Sequence, residues 1–181
     1  MEVIRTERLI LRPFRSSDQA DLSEFLSQLK EDEFEGYPDL TPERGREQLQ
    51  RRLCPEEFLA VEIPSEGKVI GNLYCGRRPY GAREVGFIIH EKYRRQGYGT
   101  EALTALLEAL FREGVHRVYA ECDPGNVRSW KLLEKAGMTR EAHFRRNVYF
   151  FTDANGDPKW KDTYVYAVRE PKKKAREPGG Q

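Results

Sequence analysis

The chain has 181 residues and nearly balanced charge, with 31 Lys and Arg against 30 Asp and Glu, for a formal net charge of +1. A charged fraction of 34% with so small a net charge disfavours the basic surface of a nucleic-acid-binding protein. The length suits one core rather than two, so we expect a single domain over residues 1–170 and a disordered basic tail over 171–181.

The cysteines and the first residues bear on where the protein works. Cys54, Cys75 and Cys122 show no CxxC spacing, and their odd number favours a reducing compartment over a disulfide framework. The N-terminal residues lack the apolar core of a signal peptide, and no apolar run approaches the about 18 residues of a membrane span. We therefore expect a soluble, cytoplasmic protein that has no membrane segment. No ligand spacing indicates a metal site.

The N-terminal half alternates short strands with helices. Ser16–Asp18 offers capping side chains for a helix with apolar residues at 22, 25, 26 and 29. Thr41, followed by Pro42, predicts the start of a second helix that runs to about Leu53. Strands are predicted at 8–14, 58–63 and 69–74, the last two as a hairpin.

The stretch from Val85 to Phe111 organises the rest of the chain. An apolar, β-branched run to Ile89 gives way to a basic turn with two glycines. An amphipathic helix follows from about Thr100 and ends at Gly114, which is placed as a C-terminal cap. The pattern predicts a strand, a glycine-rich turn and a helix.

The C-terminal part predicts one more strand, a short helix and a hairpin. The strand covers 116–122, and Asn126 can cap the helix at about 127–136. Two runs rich in aromatic and β-branched residues, 141–152 and 159–169, predict a long antiparallel hairpin. The order of elements suggests an α+β or mixed α/β domain with an antiparallel N-terminal half.

The turn before the long helix has the chemistry of an anion site. Gly97 and Gly99 let the backbone approach a ligand, and the first amides of the helix carry the positive end of its dipole. Arg94 and Arg95 add positive charge, so a pyrophosphate is a plausible ligand. The GxxxxGK[ST] pattern of a Walker loop is absent.

A dinucleotide fingerprint is an alternative interpretation of the same glycines. Gly97, Gly99 and Ala102 match GxGxxA, and Glu121 lies about 20 residues further on. Against it, residues 90–96 separate the glycines from the strand, and no repeated βαβ units follow.

A third pattern, Arg-x-x-Gly-x-Gly, is matched in full by Arg94, Gly97 and Gly99. Here the sequence resembles the GNAT superfamily of acyl-CoA-dependent N-acyltransferases, and most of all its Rim-type branch, which includes enzymes that acetylate ribosomal-protein N-termini. The resemblance covers about residues 5–169 and implies the GNAT fold, a largely antiparallel mixed sheet flanked by helices, with splayed central strands. It rests on five segments in family order: 6–14, 83–89, 97–103, 126–129 and 133–138.

The resemblance also implies acetyl-CoA as the cosubstrate and no metal. In that family the pantetheine arm lies between the splayed strands, and an Asn-x-x-Ser pattern, here Asn126 and Ser129, places the serine near the cofactor sulfur. The alternative for Asn126 is a simple helix cap. The residues expected to bind the cofactor are Phe87, Ile88, Ile89, Arg94, Arg95, Gln96, Gly97, Tyr98, Gly99, Thr100, Asn126 and Ser129.

Direct attack of an amine on the thioester needs a neutral amine, a donor for the oxyanion and a proton for the departing thiolate. Glu84 is the first candidate base, because strand alternation puts it on one face with Gly86 and Ile88. The alternative is a strand acid held in an ion pair. Glu101 is already explained by the helix dipole, and Glu121 is a further candidate that could face the cleft.

The usual acid of the family is missing. Many members carry a tyrosine four residues before the glycine that closes the short helix, where this chain has Leu133. Ser129 or a water would then protonate the thiolate. Some relatives also carry an acid on the first hairpin strand, where residues 147–149 offer none.

The acceptor is left open by the sequence. Residues 31–39 carry five acids in nine positions, which is typical of a solvated loop but also suits a cationic amine. Glu33, Glu35, Tyr37 and Tyr149 are the candidate substrate-binding residues. We expect an N-acetyltransferase, a monomer or homodimer, acting on a protein N-terminus, a polyamine or an aminoglycoside-like antibiotic. An acyl-CoA-binding sensor without turnover is the alternative from another class.

Overall fold

An eight-stranded sheet forms the centre of the structure, a computed structural model that describes residues 2–30, 32, 34, 40–54 and 56–170. The strands are β1 Ile4–Arg5, β2 Ile10–Arg12, β3 Phe58–Ile63, β4 Lys68–Arg77, β5 Arg83–Ile89, β6 Arg117–Cys122, β7 Thr139–Val148 and β8 Lys161–Arg169. The helices are α1 Gln19–Ser27, α2 Pro42–Arg52, α3 Tyr98–Arg112 and α4 Val127–Lys135. The strand order is β1-β2-β3-β4-β5-β6-β8-β7. The expected α+β architecture is confirmed.

Helices α1 and α2 cover one face of the N-terminal strands. Leu22, Phe25 and Leu26 of α1 are buried in a cluster with Phe58 of β3, as the helical spacing predicts. Helix α2 begins as expected, because the Thr41 side chain accepts a hydrogen bond from the Arg44 amide at 3.3 Å. Helix α1 packs mainly on β4, and Ile88 of β5 also packs against the cluster that these two helices form with the strands.

The predicted cap of α1 is wrong. Residues Ser16–Asp18 form a 3-10 turn, and the first amides of α1 receive no side-chain hydrogen bond from Asp18, the residue at its N-terminal cap position. The Asp18 carboxylate instead accepts hydrogen bonds of 2.8 and 2.9 Å from the buried Arg12 guanidinium. The Asp18 Oδ2 atom also accepts a hydrogen bond of 2.7 Å from the Arg15 amide, so the carboxylate closes the 3-10 turn and does not cap α1.

Helices α3 and α4 cover the opposite face of the sheet. Leu103, Leu106 and Leu110 of α3 are fully buried against the central strands, and α3 starts two residues before the predicted Thr100. Gly114 follows α3 at φ +84°, the left-handed conformation expected of the predicted cap. No described helix is long and apolar enough to cross a bilayer.

The two central strands, β5 and β6, pair over only part of their length and then diverge. Strands β5 and β6 are parallel and pair only at Arg83 with Val118 and at Glu84 with Tyr119, although β5 continues to Ile89. Beyond Glu84 a gap opens between them that connects the two faces of the sheet. Every other pair of neighbouring strands in the described sheet is antiparallel, so the dinucleotide-binding alternative, which needs repeated parallel βαβ units, is wrong.

The C-terminal hairpin is confirmed, with β7 as the edge strand. β7 begins at Thr139 and ends at Val148, and its register against β8 is interrupted between Arg140 and Ala142 and again between Phe144 and Val148. An isolated bridge between Thr152 and Pro158 extends the hairpin. The predicted tail, 171–181, lies outside the described residues.

Candidate active site

A cleft of about 340 Å³ lies where β5 and β6 diverge, bounded by the start of α3 and by one face of α4. Of the twelve residues expected to bind the cofactor, all except Gln96 line it. The remaining lining residues are Leu29, Asp32, Tyr93, Arg128, Lys131, Leu132 and Lys135. The side-chain amide of Gln96 instead donates to the Lys92 carbonyl at 2.8 Å.

The turn before α3 presents backbone amides to the cleft. Gly97 has φ +87° and is the N-terminal cap of α3 without a side-chain hydrogen bond to the first amides. A non-glycine residue at this φ is strained, and Arg95 at φ +62° already carries such strain. The free amides of a 15-residue helix carry its partial positive charge, which suits a phosphate.

The N-terminal segment fixes this turn from outside. Arg8 donates through Nη1 to the Gln96 carbonyl at 2.9 Å and through Nε to the Glu101 carboxylate at 2.7 Å. The Thr6 hydroxyl donates to the same carboxylate at 2.6 Å. Burial alone would raise the pKa of Glu101, but these hydrogen bonds outweigh it and lower the pKa. Glu101 therefore joins β1 to α3 and is occupied as a structural anion.

Positive charge is concentrated around the anion end of the cleft. The partly buried Arg94 donates through Nε to the Ile89 carbonyl at 3.0 Å, and its pKa is lowered by burial and by the nearby Arg128. Sequence reasoning missed the contribution of α4, whose Arg128, Lys131 and Lys135 also line the cleft. Their spacing of three and four residues could have revealed a common helix face.

Asn126 and Ser129 lie where α4 begins. The Asn126 side chain accepts a hydrogen bond from the Ser129 amide at 3.2 Å, so it caps the helix and also lines the cleft. Leu133 is fully buried, so the position of the missing tyrosine is filled by core packing. The Cys122 thiol at the end of β6 lies beside the Ser129 side chain, and burial raises its pKa to about 11.

Acidic groups lie on the other face of the sheet. Strand pairing puts Glu84 on β5 level with Tyr119 on β6, two residues before Glu121. Glu84 forms an ion pair with Arg78 and lies outside the residues that line the cleft. Burial and the charge of Glu84 raise the pKa of Glu121.

The predicted substrate-binding residues are only partly located. Glu33, Glu35 and Tyr37 lie outside the described residues. Tyr149 is half exposed on the hairpin, with its ring centroid 5.3 Å from that of Trp160. Within the described part of the chain, His, Cys, Asp and Glu form no group of three that could hold a metal ion.

Comparison with known proteins gives the family. Residues 8–139 match the model of the acetyltransferase (GNAT) domain. The chain is 30% identical over 173 residues to the uncharacterized N-acetyltransferase YnaD of Bacillus subtilis, covering 92% of this chain and 96% of that protein. The ribosomal protein uS5-alanine N-acetyltransferase of Escherichia coli is 27% identical over 63% of this chain and 58% of its own length.

Solved structures share the fold. An acetyltransferase (GNAT family) from Bacillus anthracis superposes with a TM-score of 0.84 at 28% identity, covering 93% of this chain and 99% of that one. RimL, a ribosomal L7/L12 α-N-protein acetyltransferase in complex with coenzyme A, superposes with a TM-score of 0.80 at 21% identity, covering 93% and 98%. With the splayed strands and the glycine turn, these matches show that the chain belongs to the GNAT family and is an acetyl-CoA-dependent N-acetyltransferase.

Proposed function

We propose that this enzyme acetylates the α-amino group of a polypeptide by direct attack of that amine on the thioester. The observation that carries the proposal is the gap between β5 and β6, which opens directly after Glu84 and beside the cationic cleft. Two curated relatives, named as ribosomal protein uS5-alanine and bS18-alanine N-acetyltransferases, support a protein N-terminus as the acceptor.

The residues of the cleft fit acetyl-CoA, which would supply the activated acetyl group. The amides of Tyr98, Gly99 and Thr100 lie at the uncapped start of α3 and suit the pyrophosphate. Arg94 and Arg95 oppose its negative charge, and the cations of α4 suit the 3′-phosphate of the cofactor. Beyond Glu84, β5 has no pairing with β6, so the backbone of Phe87 and Ile88 can bond the pantetheine amides, whereas the Ile89 carbonyl already accepts a hydrogen bond of 3.0 Å from Arg94.

The acid–base demand depends on the amine. A lysine-type amine with a pKa of about 10.4 is almost wholly protonated at neutral pH, whereas an α-amino group at about 7.7–8.0 is partly neutral. The proton that the amine loses when it attacks the thioester still needs an acceptor. We assign the proton acceptor to the Glu84–Glu121 pair, which acts through water. Burial and the neighbouring charge of Glu84 raise the pKa of Glu121, which brings this carboxylate nearer to working pH.

Ser129 is the proposed proton donor to the departing thiolate. It lines the cleft, and its amide is fixed by Asn126, which holds the first turn of α4 in place. Cys122 lies beside it, and its pKa of about 11 keeps that thiol neutral, so it is not a nucleophile at neutral pH. The reaction then runs without an acyl-enzyme.

The test compares acceptors by release of the CoA thiol and by mass spectrometry. An alanine-initiated peptide should be acetylated on its α-amine, and spermidine or an Nα-acetylated lysine peptide should react at least about 100-fold more slowly at pH 7, because far less of those amines is neutral. Tight CoA binding without turnover on any amine would instead favour a sensor.

Variants separate the roles of the acids. Glu121→Gln, Glu84→Gln and Ser129→Ala should each lower kcat by about 10²-fold or more, the usual contribution of general acid–base catalysis. Glu108→Gln, an exposed acid on α3, is the matched control and should have no effect. Full activity in both Glu84→Gln and Glu121→Gln would contradict the assignment of the base.

A further inference from the structure

An exposed group of aromatic side chains lies at the end of the C-terminal hairpin. It consists of Tyr149, Phe150, Phe151 and Trp160, called the aromatic patch below, which are 40–51% exposed. They make up four of the eight exposed large hydrophobic residues in the described chain. The hydrogen bond from the Lys159 amide to the Phe151 carbonyl, 2.9 Å, ties the two sides of the hairpin together here. Concentrated exposed apolar surface marks an interaction site.

The aromatic patch is joined to the rim of the cleft. Lys161, next to Trp160, forms an ion pair of 3.1 Å with Asp123, and its Nζ lies 5.1 Å from the centre of the Phe34 ring. Asp123 begins the turn that ends at Asn126, which lines the cleft. Glu121 pairs with Val165, so Trp160 lies five residues, roughly 17 Å, further along the hairpin, which is about five residues of extended polypeptide.

The surroundings of the aromatic patch are positive. Arg145, Arg146 and Lys159 are exposed beside it. Arg146 has φ +48°, and its amide donates to Asp162 at 2.9 Å within the irregular part of β7. This interruption disfavours addition of another strand along the whole edge. Side chains, rather than the strand edge, therefore offer the contacts, and Trp, Tyr and Arg are the residues that dominate binding at protein interfaces.

Resting on the proposed function, we propose that the aromatic patch binds the acceptor polypeptide a few residues after the amine that is acetylated, and that Arg145 and Arg146 select acidic residues in that segment. The acceptor chain would pass from the Glu84–Glu121 face over the Asp123 turn onto the hairpin. Apolar side chains would pack on Trp160 and Phe150, and carboxylates would pair with the arginines. The preferred acceptor is then a polypeptide whose first eight residues mix apolar and acidic side chains.

Two readouts test the proposal. Binding is measured by fluorescence anisotropy, in the presence of CoA, with the octapeptide Ala-Ser-Leu-Asp-Leu-Glu-Phe-Asp labelled at its C-terminus. Turnover compares the same peptide, unlabelled, with alanine amide. Trp160→Ala and Phe150→Ser should each raise the Kd of the octapeptide about tenfold and lower its kcat/KM relative to that of alanine amide by a similar factor. Arg145→Glu with Arg146→Glu should do the same, and a peptide with lysines in place of its acids should bind the wild type about tenfold more weakly.

Val3→Ser and Arg46→Glu alter an exposed apolar and an exposed basic residue elsewhere and serve as controls. Equal wild-type kcat/KM for the octapeptide and alanine amide, or no measurable peptide binding, would overturn the inference. The inference would also be overturned if a twelve-residue polyuridine, or a second copy of the chain, bound the wild type and failed to bind the Trp160→Ala variant. Binding that depends on the aromatic patch without acetylation would leave the inference standing and remove the proposed function instead.

Discussion

Removing two lysines from α4 should weaken binding of CoA more than binding of 3′-dephospho-CoA. Lys131 and Lys135 are exposed, line the cleft and share a helix face with Arg128. An exposed pair of unit charges contributes about 0.2–1 kcal/mol, and a phosphate monoester carries close to two negative charges. Lys131→Ala with Lys135→Ala should therefore cost about 1–2 kcal/mol, which is about a 5- to 30-fold rise in the Kd of CoA.

The assay is isothermal titration of the folded protein with CoA and with 3′-dephospho-CoA, so no acceptor needs to be known. The Kd of 3′-dephospho-CoA divided by the Kd of CoA should fall towards one in the double variant. The effect of the double substitution on the Kd of CoA should shrink as added salt screens the charges. Arg46→Ala, on α2 and away from the cleft, is the control. An unchanged Kd of CoA in the double variant at low salt would refute the placement of the phosphates beside α4.

Three further outcomes follow from local packing, capping and charge. Gly71→Ala should lower the free energy of unfolding, measured in urea, by about 3 kcal/mol or more, because an added Cβ would lie 2.1 Å from the Ile88 carbonyl oxygen of β5. In Gly86→Ala the nearest contact of the added Cβ is an ordinary 3.7 Å, so this control should change the free energy of unfolding by less than about 1 kcal/mol. Asn126→Ala should cost about 1 kcal/mol of stability in urea and Asn126→Asp should recover most of it; equal losses would argue against capping. Burial raises the pKa of Asp18, but hydrogen bonds from Arg12 outweigh this and lower it below the unfolded value, so its stabilisation is present above about pH 4 and is lost as the pH falls through the folded pKa. Asp18→Asn should accordingly lower the urea midpoint at pH 7 and have a much smaller effect near pH 2.

The sequence alone predicts the parts of this structure that depend on neighbours along the chain. The apolar run to Ile89, the glycine turn and the cap at Asn126 are local patterns, and the structure contains all three. The prediction that Asp18 caps α1 fails for a different reason, because its carboxylate accepts hydrogen bonds from the buried Arg12 of β2. Pairing between side chains of separate elements is set by packing and leaves no periodic signal in the sequence.

The same reasoning explains what was missed at the site. The ion pair of Glu84 with Arg78 depends on the turn between β4 and β5, and the two prior interpretations of Glu84, base or paired acid, could not be separated by alternation. The α4 cations were within reach of the sequence, because their spacing defines a helix face, but only the fold shows that this face borders the cleft. Catalytic roles stay predictions until the variants are measured.

The attachment of Arg8 to the turn before α3 has a consequence for how tightly nucleotides bind. A glycine-rich turn usually loses conformational entropy when a ligand binds, and this cost makes the free energy of binding less favourable. Here the guanidinium of Arg8, which lies between β1 and β2, already donates hydrogen bonds to the Gln96 carbonyl and the Glu101 carboxylate. The turn that binds the diphosphate is therefore held in place before the nucleotide arrives. Removing these hydrogen bonds with Arg8→Ala should leave every group that binds the nucleotide chemically unchanged and still raise the Kd of CoA, because the turn must then be ordered on binding.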